Sequence, residues 1–291
     1  MKADQATGGR LVGVCALLIG AVLACTATAA EVLNIGLVPS EDPRVVITDN
    51  QALLDHLSDA LKVEVKPFVS TDYNGVIEAM RAKRLDVALL GPFAYVFANQ
   101  VAGAEAFALL ETQKQGPTYR SVIIARKDHH IGEVKDLKGK TFAFVDPSST
   151  SGHLFPKAGL IKAGLDPDTL FERMIFSGGH DASAIAVQNG KVDAAAIADA
   201  MLEPAFARGM LTKDDIVVVW TSEAIPGAPI AYRRDLSPER KAQLRAAFAQ
   251  VRDMPWGPKT TIKRFVPVDD KAYDVVRDTA KLLNLDLRKM K

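Results

Sequence analysis

Apolar positions along this chain switch between two periods: short β-rich runs are followed by stretches with an apolar residue at every third or fourth place. Val32 to Val38 predicts a first strand, bounded by Pro39. Leu53, Leu54, Leu57 and Leu61 recur at helical spacing, and Val63 to Val69 predicts a second strand ending near Ser70. Tyr73, Val76, Ile77 and Met80 then form a single helical face. Asp86 to Leu90 predicts a short buried strand stopped by Gly91-Pro92. Ser121 to Ala125, Thr141 to Val145, Met174 to Phe176, Ala194 to Ala198 and Ile216 to Trp220 predict further strands, with helical segments after Gly152 and through Ala184, Val187 and Gln188. After Pro226 and Pro229 the pattern turns mostly helical. Ser237-Pro238 reads as an N-cap with proline in the first turn, Leu244, Ala247, Phe248 and Val251 as the buried face, and Tyr273, Val276, Ala280 and Leu283 as a last amphipathic helix. Strand–helix–strand alternation predicts parallel strands joined by crossover helices, in two α/β lobes with a helical tail.

The first thirty residues follow a different logic. Lys2 and Arg10 precede the apolar run Leu11 to Leu23, and small residues follow at Ala24, Ala27, Ala29 and Ala30. A basic start, a short apolar core and an Ala-x-Ala end describe a secretory signal peptide over residues 1–30, cut after Ala29 or Ala30. The run is shorter than the roughly 20 residues that span a bilayer. Lipoprotein processing at Cys25 is the alternative. The only cysteines are Cys15 and Cys25, so removal of the leader leaves an exported chain with no thiol and equal numbers of acidic and basic residues. A thiolate metal site or a disulfide framework after residue 30 is excluded. The formal net charge of +1 gives no electrostatic footprint for nucleic acid or for a polybasic membrane contact.

Ligands of α/β folds bind where strands end and helices begin, so the turns leaving strands carry the candidate chemistry. Ser148, Ser149, Thr150 and Ser151 run consecutively into Gly152 between a predicted strand and a predicted helix. Unpaired amides at a helix start attract anions, and four hydroxyls exceed what one cap requires. No Lys follows the glycine, so this is not a P-loop. Gly178-Gly179-His180-Asp181 repeats the arrangement, with His180 a donor whose charge varies near neutral pH if unperturbed. Tyr73 and Tyr95 each sit just past a strand, where a ring and a hydroxyl suit a cleft wall, although Tyr73 also begins a core stripe. Asp199 follows Ala194–Ala198, where helix capping competes with an acceptor role.

Taken jointly, Ile-Gly-Leu-Val-Pro (35–39), Ser-Thr-Asp-Tyr (70–73), Asp-Val-Ala-Leu-Leu-Gly-Pro (86–92), Tyr-Arg-Ser-Val-Ile (119–123), Ser-Ser-Thr-Ser-Gly (148–152), Gly-Gly-His-Asp-Ala-Ser (178–183) and Val-Asp-Ala (192–194) resemble the phosphonate-binding protein family of ABC importers. The resemblance implies a two-lobed periplasmic binding protein of type II, each lobe a mostly parallel sheet flanked by helices, joined by two crossover hinges near 117–120 and 226–229. It implies lobe 1 over residues 31–117 plus 225–291, and lobe 2 over 118–224. It also implies a phosphorus-oxyanion pocket (phosphonate, phosphite or phosphate) of Tyr73, Tyr95, Ser148, Ser149, Thr150, Ser151 and His180. An acidic member falls on Asp199, with Asp193 the competing position. The partners implied are ABC permease subunits, with the receptor a periplasmic monomer that binds no nucleic acid and needs no cofactor or metal. A sensing subunit for a membrane kinase would share this fold and pocket. An enzyme is disfavoured: Asp146, Ser151 and His153 are close in sequence, but no nucleophile elbow surrounds them, and His129-His130 lies in a charged stretch.

Overall fold

The computed structural model of the protein describes residues 31–114, 116–258 and 260–288. The signal peptide expected over residues 1–30, with Cys15 and Cys25, lies outside the described residues. In chain order the strands of the first half are β1 (Val32–Leu37), β2 (Glu64–Val69), β3 (Val87–Leu89), β4 (Ala104–Thr112), β5 (Thr118–Tyr119), β6 (Ser121–Arg126) and β7 (Thr141–Phe144). The second half adds β8 (Arg173–Phe176), β9 (Ala194–Ala198), β10 (Ile216–Thr221), β11 (Ile225–Pro226), β12 (Pro229–Arg233), β13 (Arg252–Pro255) and β14 (Thr261–Pro267). A seven-stranded sheet runs β13-β14-β4-β12-β3-β1-β2, and a five-stranded sheet runs β10-β6-β9-β7-β8. The two chain crossings between the sheets lie side by side as the antiparallel ribbon β5–β11, with Ile225 opposite Tyr119 and Pro226 opposite Thr118.

The two-lobed α/β architecture stands, but the sheets are mixed instead of mostly parallel. Parallel pairing is confined to β2–β1–β3 and to β8–β7–β9, and the strands added beyond them run antiparallel. Strands returning from the opposite lobe through short crossovers enter with reversed sense, because only a helical crossover restores the original direction.

Local chemistry fixes the elements that lead to the site. The helix Pro43–Leu61 starts at proline behind an Asp42 cap whose side chain accepts from Arg44 N at 2.9 Å. In the helix Tyr73–Arg81, Asp72 accepts from Gly75 N at 2.7 Å, and Tyr73, Val76, Ile77 and Met80 are buried as their spacing predicts. The chain after Pro226 departs from the helical expectation. Only Pro238–Ala249 and Asp274–Leu282 are α-helices among its described residues, while β12, β13 and β14 join the large sheet. Pairing partners decide this. β12 lies between β3 and β4, and the charged residues Lys263 and Arg264 of β14 are absorbed by Glu111 of β4 at 3.1 and 2.6 Å. The helix-forming residues of β4, Ala-Glu-Ala-Phe-Ala-Leu-Leu-Glu-Thr, are likewise held extended by neighbours on both edges.

The 148–152 bend is anchored on β7. Val145 N donates to Gly152 O at 3.0 Å, and a Cβ at Gly152 would lie 2.4 Å from Val145 Cβ. Contacts then tie the lobes together: His180 N donates to Ser40 O and Asp42 N to Asp181 Oδ2, each at 2.8 Å. Arg208, just past the helix Leu202–Ala207, pairs with both Glu41 and Asp49, the latter at 2.5 Å. Burial pushes the Glu41 carboxyl up from 4.5 to about 7 against the pull of Arg208, and Asp181 and Asp49 add to the rise.

Two outcomes follow from these anchors. Gly152→Ala should lower stability by about 1–3 kcal/mol through overpacking against Val145, measured by denaturant unfolding; unchanged stability would contradict the close approach. Because the folded Glu41 holds its proton to higher pH than the unfolded chain, its contribution is fully present below the unfolded value and lost as pH rises through about 7. The melting temperature of the native protein minus that of Glu41→Gln should therefore fall between pH 4.5 and about 7 and level off above. A flat difference across that window would remove the buried acid from the account.

Candidate functional site

A cavity of about 200 Å³ lies where the strand ends of the large sheet face the 148–152 bend. The bend itself is a π-helical turn, Thr150–Leu154, leading into the helix Phe155–Lys162. Ser149 is its N-cap and accepts from Gly152 N at 3.1 Å, which leaves its O–H free to donate. Thr150 and Ser151 open the turn, so their amides precede any acceptor inside it. Thr150 Oγ1 accepts from Phe93 N at 2.8 Å, satisfying the start of the helix Pro92–Ala102 in the other lobe and likewise keeping its own O–H as a donor.

Two phenols meet these hydroxyls. The Tyr73 phenol lies beside Ser149, and that of Tyr119 in the crossover ribbon beside Thr150 and Ser151. Burial raises both phenols far above their ordinary value, so each remains a protonated donor at any physiological pH. His180 completes the set. Its Nδ1 accepts from Ala198 N at 3.2 Å, so the ring proton sits on Nε2. Burial pushes the imidazole down to about 4, which corrects the expectation of a charge that varies near neutrality. The ring is a neutral donor.

The structure thus brings Tyr73, Ser149, Thr150, Ser151 and His180 to one cavity, and it adds Tyr119, which sequence reasoning did not single out as a site residue. Tyr119 sits on a two-residue strand and shares no periodic face. Its available signal was its place at the head of the Tyr-Arg-Ser-Val-Ile stretch, where the chain changes lobes.

Three expected members are not brought in. Tyr95 is fully buried in the core of the large lobe: its hydroxyl donates to Asp270 Oδ1 at 2.6 Å, accepts from Ala106 N at 3.3 Å, and its ring packs 4.9 Å from that of Tyr273. Ser148 lies on the protein side of the bend, its amide bound to Asp146 Oδ1 at 2.7 Å. Asp199 turns its Oδ1 onto the Arg120 and Ala200 amides at 3.0 and 2.8 Å, while its neighbours Ala198, Ala200 and Met201 line the cavity in its place. Asp193, the competing position, is committed to Thr141 N and Oγ1 at 2.8 and 2.7 Å. Backbone capping has claimed every one of these carboxylates.

No lining residue among those described is Lys, Arg, Asp or Glu. The conceivable nucleophilic set does not form either: His153 donates from Nδ1 to Pro147 O at 2.9 Å and packs edge-on against Phe144 and Phe176. The arrangement can therefore bind an oxyanion through neutral donors, in a space lined from both sheets.

Comparison with known proteins identifies the family and the fold. The family described as "ABC transporter, phosphonate, periplasmic substrate-binding protein" matches residues 35–273. A phosphate-import protein of Mycolicibacterium smegmatis is 36% identical over 76% of this chain and 72% of its own, and a phosphonates-binding periplasmic protein of Escherichia coli is 31% identical over 74% and 64%. The crystal structure of a binding component of a Pseudomonas aeruginosa ABC phosphonate transporter superposes with a TM-score of 0.78, at 29% identity over 86% of each chain. A Prochlorococcus marinus protein in complex with methylphosphonate shares the fold, with a TM-score of 0.75 at 23% identity over 87% of this chain and 98% of its own. The fold, the neutral oxyanion cradle and the extent of the match together show that this chain belongs to the phosphonate periplasmic substrate-binding protein family of ABC transporters.

Proposed function

We propose that this protein captures a small tetrahedral phosphorus oxyanion between its lobes and hands it to an ABC permease. The observation that carries the reading is the convergence of Tyr73, Tyr119, Ser149, Thr150, Ser151 and His180 on one cavity in which no described lining residue is charged. Hydrogen bonds to an ionised acceptor are about twice as strong as neutral ones, so several neutral donors hold an oxyanion without a counter-ion. The binding remains reversible because no desolvated ion pair has to be broken on release.

The two lobes correspond to residues 31–117 with 225–291 and to residues 118–224, moving about the β5–β11 ribbon. The Thr150–Phe93, His180–Ser40 and Arg208–Glu41 contacts all cross between them, so a ligand that bridges the bend and the large sheet favours the closed form. Closure then presents both lobes to the permease. The basic-apolar-small leader at 1–30 supports export to the periplasm, with cleavage after Ala29 or Ala30 and lipidation at Cys25 as the alternative route. The protein acts as a monomeric receptor without a cofactor, and it performs no catalysis.

Calorimetry with phosphate, phosphite and methylphosphonate tests the assignment. Tyr119→Phe and Ser151→Ala should each weaken binding of the best of these about ten- to hundredfold, the cost of losing a donor to a desolvated charge. Tyr95→Phe should leave affinity within about twofold while costing about 1 kcal/mol of stability. Equal losses at Tyr95 and Tyr119 would place the site elsewhere.

Because the His180 ring is neutral down to about 4, the pH profile of binding between pH 5 and 8 should have the same shape in the native protein and in His180→Gln, set by ligand ionisation alone. A limb near the ordinary imidazole value, present in the native protein and lost in the variant, would show that the charged ring takes part. Below about 4 protonation removes the acceptor for Ala198 N, and affinity should fall in the native protein only.

A further inference from the structure

Behind the cradle, the cavity runs over one face of the large sheet. Leu37 of β1, Leu89 of β3 and Ile230 of β12 stand in one register row, and Leu110 pairs with Phe265 between β4 and β14. All five side chains line the cavity. At ~30 Å³ for each water-sized group, a space of about 200 Å³ exceeds what a tetrahedral head fills, so a substituent on phosphorus has to meet this wall.

Resting on the oxyanion reading above, we propose that the cavity selects phosphonates whose carbon substituent is uncharged and apolar, and rejects those carrying an ammonium group. The carboxylates closest in the chain to the cradle are already committed. Asp146 accepts from the Ser148 and Tyr73 amides, Asp181 from the Asp42 and Ala182 amides, and Asp199 from the Arg120 and Ala200 amides. Next in the chain to the lining residues Ser40 and Asn50, Glu41 and Asp49 are both bound by Arg208. An ammonium would enter a space in which the described lining offers no counter-charge, only neutral acceptors such as Asn50 Oδ1 in place of its hydration. A methyl or propyl group meets leucine, isoleucine and phenylalanine, and its transfer from water is favourable. The distinction is between a charge left unpaired and a chain that is buried, and it does not depend on the strength of the head-group contacts.

The deciding pair is n-propylphosphonate against 2-aminoethylphosphonate, which differ only in a terminal methyl or ammonium. Calorimetry on the native protein should show the propyl compound binding about a hundredfold more tightly, with affinity rising about fourfold per methylene from methyl to propyl. A second variant reads the same property in the opposite sense. Ala228 lines the cavity, and its backbone is fixed by Leu110 N donating to its carbonyl at 3.2 Å, so Ala228→Asp places a carboxylate there. That variant should close the gap by about tenfold or more through the new ion pair.

Equal or tighter binding of 2-aminoethylphosphonate by the native protein would overturn the proposal. So would methylphosphonate binding with no binding of the propyl compound, because the wall would then not accept a chain. If phosphate, phosphite, methylphosphonate and propylphosphonate all fail to bind, the oxyanion reading itself falls, and the selectivity falls with it. A thermal shift by propylphosphonate in native protein and in Ala228→Asp confirms that each is folded when read.

Discussion

Holding a desolvated anion without a cation imposes one constraint: every donor must have its other hydrogen-bonding capacity satisfied before the ligand arrives. Ser149 accepts from Gly152 N, Thr150 accepts from Phe93 N, and His180 accepts from Ala198 N. In each case one acceptor position is occupied by a backbone amide, so the remaining O–H or N–H is left to donate. Burial keeps the Tyr73 and Tyr119 phenols protonated and His180 uncharged, so the cradle keeps one electrostatic character across ordinary pH. The donors are pre-organised at the cost of backbone amides taken from both lobes.

The same bonds couple binding to shape. Phe93 N belongs to the large lobe and Thr150 to the small one, while Ser40 and His180 join the lobes a few residues away. Of the orienting bonds, the one from Phe93 N to Thr150 Oγ1 crosses between the lobes, while those to Ser149 and His180 stay within residues 118–224. Arg208 with Glu41 and Asp49 reinforces the closed form from outside the cavity, where its charge does not compete for the ligand. The charged Arg208 cluster is thus separate from the neutral lining of the cavity.

Much of this was legible in the residues. The hydroxyl run ending in Gly152, the Gly178-Gly179-His180 turn and the stripe beginning at Tyr73 all fall where strands end, and of their residues Ser149, Thr150, Ser151, His180 and Tyr73 line the cavity. Local patterns of this kind survive folding because a strand end and a helix start are set within a few residues. Tyr95 and Asp199 misled for a shared reason: they occupy the same kind of position, and sequence gives the position but not the side chain's partner. Asp270, about 175 residues away, claims Tyr95, and the Arg120 amide claims Asp199. Both partners arrive through tertiary contacts.

The sequence by itself determined the α/β alternation, the absence of a thiol beyond residue 30 and the chemistry of the bend, because composition and short-range periodicity decide them. Tertiary structure alone decided that Tyr119 enters the site from the crossover, that β4, β12 and β14 are strands despite helix-forming or irregular local sequence, and that the carboxylates turn away from the cavity. Strand pairing and amide capping involve residues tens to more than a hundred positions apart, and their energies outweigh the few tenths of a kcal/mol by which local propensity favours one conformation over another.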